Sequence, residues 1–245
     1  KRPMLPSILS DKLCSLQEGQ RRFAFAMDIH IKNNKIAKIE YSKVLINVRK
    51  NYEYEEPSLL KDSNYSSLLS LTKALSRNYK YLDSLSDSHD IVAFYMIMMN
   101  HEVSKTMITY KNGIYRSAQE GKADCIPGTL SDGVKQFMKI WKCSAGQYSC
   151  FVDRKSHQLI ASGLDSYLHI TSPIRRLVDM LNMIILQHNL RIGNPSDAAM
   201  EFYDGWVKRL DFINLTMRSV RKVQSDCSLL HMYVNDVLSQ SYSGC

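Results

Sequence analysis

Residues 163–179 read GLDSYLHITSPIRRLVD, and this stretch decides how the fold of the chain is interpreted. Ser172 is a good helix cap and Pro173 suits the first helical position, so the pattern predicts a helix that begins here. Arg175 and Arg176 then place two guanidinium groups beside the unpaired N–H groups of the first turn, where an anion such as a phosphate is favoured. The alternative is a helix cap whose arginines pair with a nearby carboxylate. The stretch alone does not separate these two interpretations.

A second informative segment opens the chain. Residues 1–16 read KRPMLPSILSDKLCSL, and residues 21–27 read RRFAFAM. This segment resembles the part of the ribonuclease II and ribonuclease R (RNB) family that follows the family's metal site. Residues 171–179 are similar to the Thr-Ser-Pro-Ile-Arg-Arg signature of the same family, and the two segments lie in the family's order. The resemblance to the RNB family covers essentially the whole chain and is strongest in residues 1–27 and 163–186.

Composition and charge limit the classes of protein to which the chain can belong. Its 245 residues, 44% of them hydrophobic, suffice for one large domain with a substantial core. The 32 Lys and Arg residues against 24 Asp and Glu give a net charge of +8, which favours a polyanionic partner. The longest apolar runs are too short to span a bilayer, so we expect no membrane partner.

The cysteines indicate a reducing environment. All six are scattered along the chain without a CxxC pair, which predicts reduced thiols and an intracellular protein, cytoplasmic or organellar. Cys143, Cys150 and His157 are spaced seven residues apart, and this spacing matches none of the usual zinc-ligand pairs. We therefore expect no zinc site.

Residue periodicity predicts an α+β fold. The resemblance implies a single RNB-like domain over residues 1–245 that is incomplete at its N-terminus. Alternating apolar residues predict strands over residues 21–56, with a hairpin turn at Asn33 and Asn34. Helical spacing predicts a mostly helical remainder over residues 59–240. This strand-rich first quarter followed by helices is the arrangement expected for the body of an RNB-type catalytic domain.

Three features stand out within the helical remainder. Ser86 or Asp87 can cap a helix through residues 91–99 that is apolar on nearly every side and should be buried. A turn at Asn112-Gly113 should lead into a short strand. After residue 206 the apolar residues keep steps of three and four, which predicts a long amphipathic helix or two in line, with a solvated basic face favoured over RNA contact.

The resemblance implies a function and a mechanism. RNB enzymes thread the 3′ end of single-stranded RNA toward Mg²⁺ held by aspartates, where water attacks the terminal phosphodiester and nucleoside 5′-monophosphates are released. Arg175 matches the signature position expected to be catalytic, where its charge neutralises the phosphate as the reaction proceeds. For Arg176 we expect a supporting phosphate contact or a structural ion pair. The other expected RNA contacts are Ser172, Thr171 and Arg116.

A channel for a single strand also needs flat side chains on which bases can stack. Residues 48–56 match the place where the family supplies an aromatic near the RNA 3′ end, with Tyr54 as the best match and Tyr52 as the alternative. Without the resemblance, Tyr54 would be interpreted as an ordinary strand aromatic. Asp179, one turn after Arg175, is expected to hold that guanidinium or to lie behind the metal ligands.

Two features depart from the family pattern. The family's aspartates lie upstream of the segment that opens this chain, so no metal ligand is expected within it, and this segment alone should be inactive. Tyr115-Arg116 is followed by Ser117-Ala118, where the family has a hydrophobic residue and a His. On the long helix, Gln224 and Asp226 match the family's acidic residue only loosely.

These observations lead to one expected function and two alternatives. We expect a Mg²⁺-dependent 3′-to-5′ exoribonuclease acting on single-stranded RNA, provided that the full-length protein carries the aspartates. The first alternative is a catalytically inactive RNB-fold protein that binds RNA or serves as a structural component of a larger assembly with protein partners. The second is an interaction protein whose positive charge serves solubility alone.

Overall fold

The structure is a computed structural model that describes residues 3–117, 146–152 and 164–242, with side chains described as far as Val234. A short π-helical turn, Ile8–Leu13, precedes the first strand. In chain order the strands are β1 (Arg21–Lys32), β2 (Lys35–Asn47), β3 (Ile114–Ser117) and β4 (Gln147–Cys150). The helices are α1 (Pro57–Leu60), α2 (Ser63–Ser76), α3 (Ser88–Thr109), α4 (Leu177–Asn189), α5 (Asp197–Val207) and α6 (Leu210–Tyr242). The predicted combination of helices and strands is therefore present.

The first two strands form the predicted hairpin. β1 and β2 pair antiparallel from Lys32↔Lys35 to the far end of both strands. Asn33 and Asn34 make the turn with φ of +52° and +57°, a left-handed conformation that asparagine tolerates better than most residues.

The prediction of strand as far as residue 56 is wrong, because β2 ends at Asn47. The last backbone bonds of the ladder join Val48 to Gly19 and Gln20, at 2.8 and 3.4 Å. Gly19, with φ of +70°, turns the partner chain away at this point. Residues 48–56 therefore leave the sheet and contact the N-termini of helices instead.

Helix α3 runs through the core, as its apolar sequence predicts. Asp87 caps it by accepting a hydrogen bond from the Asp90 N–H at 2.9 Å. Phe94 belongs to a cluster at one end of the helix that also packs against the β1–β2 hairpin. Met107 belongs to the larger cluster at the other end, which includes side chains of β3, β4, α4 and α5. α3 is therefore the element that the two parts of the core share.

The helix predicted to start directly after Ser172 begins instead at Leu177. The N–H groups of Arg175 and Arg176 both bond to the Ser172 carbonyl, at 3.2 and 3.0 Å, which closes a turn. Arg176 is extended, with φ −128° and ψ 119°, and so separates this turn from α4. The prediction is wrong because the carboxylate of Asp179, within α4, accepts the Ser172 N–H at 2.7 Å and folds the turn back onto the helix.

Two buried asparagines hold the short strands β3 and β4 in place. Asn182 of α4 accepts a hydrogen bond from the Ile114 N–H and donates one to the Ile114 carbonyl, both at 2.9 Å. Asn214 of α6 does the same for Tyr148 of β4, with both bonds at 2.8 Å. Because each of these strands has only four residues, side-chain amides take over hydrogen bonds that a wider sheet would supply.

The C-terminal part is helical, as the periodicity predicts. Ser196 caps α5, and a two-residue break separates α5 from the 33-residue α6. Within the described ranges, no helix combines the length and the apolar character that crossing a membrane requires.

Candidate nucleic-acid interface

The turn between Ser172 and α4 is held together by one buried carboxylate. Asp179 is fully buried, and its Oδ1 accepts hydrogen bonds from the Ser172 N–H at 2.7 Å and from an Arg176 Nη2 at 2.9 Å. Burial raises the pKa of Asp179, although the positive charge of Arg176 and the Ser172 N–H act in the opposite direction. The prediction that Asp179 holds Arg175 is therefore wrong: it holds Arg176, whose extended backbone directs its side chain back over the turn.

Arg175 is placed differently from its neighbour. Its side chain is exposed, and its Nη2 lies 3.4 Å from the Ser172 hydroxyl, a long and weak contact. The turn that carries it is fixed by Asp179, so the guanidinium is mobile only through its own side chain. Of the two arginines, Arg176 forms an ion pair with Asp179 that stabilises the turn, and Arg175 is exposed to solvent.

Three polar atoms around this turn are buried without a hydrogen-bond partner in the described part of the chain. They are Thr171 Oγ1, Arg176 Nε and Asp179 Oδ2. An unsatisfied buried polar atom costs about 1–3 kcal/mol, so three of them in nine residues are unusual in a stable fold. The set combines an N–H donor, a carboxylate acceptor and a hydroxyl that can do both.

The third arginine of the predicted site, Arg116, lies close to the same region. Its guanidinium carbon is 5.7 Å from the centre of the Tyr148 ring. A Cβ added at Gly146 would come within 2.8 Å of the Arg116 guanidinium, so the absence of a side chain there leaves room for it. The Tyr148 hydroxyl in turn lies 2.8 Å from His169 Nδ1.

The buried His169 lies within the electrostatic influence of both Arg176 and Arg116. Burial, and then the positive charges of Arg176 and Arg116, lower the pKa of His169 from 6.5 to about 3. The imidazole is therefore neutral at physiological pH, and its low pKa makes it a weak proton acceptor. The structure thus places Thr171, Ser172, Arg176 and Arg116 in one region. This region has a local excess of positive charge.

The two predicted stacking tyrosines lie on the loop after β2 and differ in their surroundings. Tyr52 donates its hydroxyl hydrogen to Asp62 at 2.7 Å, and the Lys50 ammonium sits 4.5 Å from the centre of its ring. Tyr54 is 52% exposed and stacks on His89, with ring centroids 3.6 Å apart and an angle of 12° between the planes. Tyr54 is therefore the tyrosine with an open ring face.

The sequence does not predict the residues that hold Tyr54. Asp87 caps α3, but a capping pattern does not reveal the roles of Ser88 and His89. Their contacts with the Tyr54 loop join residues about 33 positions apart, and short-range patterns carry no signal for such pairs. Gln224 and Asp226 are exposed on α6.

The described side chains around the signature turn do not fit a Mg²⁺ site. Among the described side chains, which cover residues 3–117, 146–152 and 164–234, no three His, Cys, Asp or Glu come together in a way that could hold a metal ion. Asp179 has one unpaired oxygen, but the Arg176 guanidinium is bonded to the same carboxylate. Mg²⁺ needs several oxygen ligands in near-octahedral geometry. Of the three residues with zinc-like spacing, the structure describes Cys150, while Cys143 and His157 lie outside the described residues.

Comparison with protein families gives a match over the first third of the chain. The RNB domain family model matches residues 1–86, which includes the opening segment and the Tyr54 loop. A comparison with curated protein sequences gives no match. The match to residues 1–86 and the structural similarities below confirm the resemblance to the RNB ribonuclease family inferred from the sequence.

Several solved structures share the fold. Mycoplasma genitalium RNase R in complex with ribose methylated single-stranded RNA matches with a TM-score of 0.67 and 15% identity over 98% of this chain and 48% of that chain. The same enzyme in complex with double-stranded RNA matches with a TM-score of 0.69 and 15% identity, covering 92% and 52% of the two chains. Yeast Ssd1, described as a pseudonuclease, matches with a TM-score of 0.63 and 15% identity, covering 82% and 33%. The chain thus spans about half the length of the RNase R chains that it matches.

Proposed function

We propose that this chain, which carries an RNB domain match and the RNase R fold, is the body of a ribonuclease domain that binds single-stranded RNA. In the full-length protein, it takes part in Mg²⁺-dependent 3′-to-5′ hydrolysis that releases nucleoside 5′-monophosphates. The observation that carries the proposal is the exposed Arg175 on a turn fixed by the buried Asp179. The signature residues thereby form a rigid support for one solvent-facing positive charge.

The division of labour between the two arginines supports phosphate binding. A preorganised positive charge stabilises developing phosphate charge most when no reorganisation is needed during the reaction. Arg176 uses its charge on Asp179 at 2.9 Å and so keeps the turn in place. Arg175 contacts the Ser172 hydroxyl at 3.4 Å, a contact weak enough to be exchanged for a phosphate oxygen. Arg175 is therefore assigned the catalytic role.

Contact with the sugar-phosphate chain at this turn is assigned to the exposed side chain of Arg175. The unpaired atoms Thr171 Oγ1, Arg176 Nε and Asp179 Oδ2 are buried, so a strand at the surface does not reach them.

Tyr54 supports a single strand as the ligand. An open aromatic face suits an unpaired base, because bases in a duplex are already stacked on both sides. Among the structures that share this fold, RNase R is in complex with single-stranded RNA in one case and with double-stranded RNA in another.

The metal ligands are assigned to aspartates upstream of Lys1, since the described residues do not form a Mg²⁺ site. When bound, the metal would activate the attacking water and stabilise the leaving oxygen. The residues of this chain contribute binding and charge neutralisation at the phosphate.

An RNB-fold protein without catalysis is the second candidate. It is favoured by the donor set, which lacks a metal cluster in the described ranges, and by the structural similarity to a protein described as a pseudonuclease. In this case the arginines and Tyr54 would hold RNA, or the chain would serve as a component of a larger assembly, with no cleavage.

A cleavage assay tests both candidates. Full-length protein is incubated with 5′-labelled single-stranded RNA, with Mg²⁺ or with a chelator, and the products are separated on a gel. We expect progressive shortening only with Mg²⁺, and about 100-fold slower cleavage for Arg175→Ala. Arg218→Ala, which changes an exposed arginine of α6, is the matched control and should leave the rate unchanged.

Each outcome of this assay decides between the candidates. RNA binding without cleavage favours the inactive protein. Equal cleavage rates for Arg175→Ala and the unaltered protein would exclude the role assigned to Arg175. Absence of both binding and cleavage would overturn the ribonuclease and the RNA-binding form of the second candidate, and would favour a structural component of a larger assembly.

A further inference from the structure

The loop that carries Tyr54 is attached to the N-termini of two helices. On one side, Tyr52 donates to Asp62 at 2.7 Å, and Asp62 also caps α2 by accepting the Asn64 N–H at 2.7 Å. On the other side, the loop contacts the first turn of α3 through Glu55. A loop fixed at both ends of a short segment loses most of the freedom that surface loops usually have.

The attachment to α3 is reciprocal. Glu55 Oε1 accepts the Ser88 N–H at 2.7 Å, and Ser88 Oγ accepts the Glu55 N–H at 3.1 Å. Ser88 is buried and Glu55 is exposed, so these bonds are only partly shielded from water. Glu55 has φ of +56°, in the left-handed region that a glutamate rarely adopts, and the paired bonds hold it there. We call the pair Glu55 and Ser88 the latch.

The residue after the latch serine provides a ring for Tyr54. The His89 imidazole lies 3.6 Å from the Tyr54 ring at 12°, close to a parallel stack. Because His89 sits in the first turn of a 22-residue helix whose cap is formed by Asp87, its backbone cannot follow movements of the loop. One face of Tyr54 is thus covered by His89, and the ring remains 52% exposed.

We propose that Glu55, Ser88 and His89 are positioning residues that hold the Tyr54 ring as a one-sided platform, ready to stack an unpaired base. This inference rests on the proposed function, which supplies the RNA strand. His89 acts through Tyr54 and does not touch the RNA. Its contribution is that the tyrosine side chain is already ordered before RNA binds, so the binding step does not incur that loss of side-chain freedom.

Binding measurements on the full-length protein test this inference, with a fluorescently labelled single-stranded RNA oligomer as the probe and fluorescence anisotropy as the readout. Tyr54→Ala should weaken binding about five- to 100-fold, the range for loss of one base–aromatic stack. His89→Ala should weaken binding about two- to tenfold, the range for ordering one side chain. His89→Phe, which keeps a flat ring at the same place, should restore affinity.

A double-variant comparison separates positioning from a structural role. If His89 acts through Tyr54, adding His89→Ala to Tyr54→Ala should cause no further loss. Oligomers with 2-aminopurine at successive positions should show quenched fluorescence at one position, and quenching there should fall in both single variants. His30→Ala, which changes an exposed histidine of β1, is the control and should match the unaltered protein.

The outcomes distinguish this inference from the proposed function. Equal losses from His89→Ala in the presence and absence of Tyr54 would overturn the positioning role, as would unchanged affinity in His89→Ala. If these variants bind normally while Arg175→Ala binds weakly, the proposed function stands and the inference about the platform fails. If the unaltered protein binds no single-stranded RNA, both fail.

Discussion

At the scale of single residues, the buried polar side chains of the signature region show how charge is distributed. Asp179 neutralises Arg176, while His169 stays neutral between Arg176 and Arg116. A protonated His169 would add a third positive charge to the same buried region. The region therefore concentrates positive charge on arginines, whose charge does not change with pH, and Arg175 extends it to the surface.

The depressed pKa of His169 predicts how stability depends on pH. Its pKa is lowered from 6.5 to about 3, first by burial and then by the charges of Arg176 and Arg116. The unfolded chain therefore binds this proton at a higher pH than the folded protein does. The stabilising contribution is fully present above pH 6.5 and is lost as the pH falls from 6.5 toward 3, by about 1.4 kcal/mol per pH unit.

Urea unfolding of unaltered protein and His169→Gln, measured between pH 7 and 5, checks this expectation. Acidic groups titrate mostly below this window, so the difference between the two proteins isolates the histidine. The free energy of unfolding should fall with decreasing pH more steeply in the unaltered protein. Parallel curves would show that His169 is solvated or protonated in the folded state. His188→Gln, which changes an exposed histidine of α4, is the control and should retain the full slope.

At the scale of elements, the sequence predicts those features that local patterns determine. The β1–β2 hairpin follows from alternation and the Asn33-Asn34 turn, and α3 follows from the Asp87 cap and a continuous apolar run. The end of β2 could not be predicted, because it depends on Gly19 turning the partner strand away. Sequence periodicity describes one strand at a time and does not show where the neighbouring strand turns out of the sheet.

The candidate site shows the same limit. The signature located Arg175 and Arg176, but it could not assign Asp179 to the correct arginine, since the choice depends on the extended backbone of Arg176. His89 was not found, because its contact with Tyr54 crosses from the loop after β2 to α3. Residue identity thus predicts which groups are available, and tertiary contacts decide which of them remain exposed.

The asparagine contacts between helices and short strands lead to a prediction about stability. Asn182 is fully buried and satisfies the N–H and carbonyl of Ile114 together with the His169 carbonyl, each at 2.9 Å. Asn182→Ala removes these three bonds and leaves backbone groups unsatisfied in the core. We expect a loss of about 2–4 kcal/mol in the free energy of unfolding, measured with urea.

Two further variants serve as comparisons for Asn182→Ala. Gln224→Ala removes an amide from an exposed position of α6 and should change stability by less than about 0.5 kcal/mol. Asn182→Asp keeps the acceptor but removes the donor, so it should also be strongly destabilising. If Asn182→Ala proved as mild as Gln224→Ala, β3 would be held by the sheet and the core rather than by this amide.

At the scale of the whole molecule, the excess of positive charge is expected to contribute to the affinity of the chain for RNA. A net charge of +8 raises the local concentration of any polyanion, whether or not specific contacts follow. Such a general attraction would be spread over the surface. The arginines around the signature turn, by contrast, offer localised contacts. The salt dependence of binding separates these two contributions.

The salt dependence of RNA affinity should fall when Arg175 is removed. For single strands, each phosphate neutralised by a cation contributes about 0.7 to the slope of log affinity against log salt concentration. Arg175→Ala should therefore reduce this slope by about 0.7, and by the same amount for oligomers of different base sequence, because phosphates carry no sequence information. Arg218→Ala, on the exposed face of α6, should leave the slope unchanged. A slope equally reduced by both variants would mean that the charge acts as a diffuse field, and binding insensitive to salt would mean that it serves solubility alone, without phosphate contact at the signature turn.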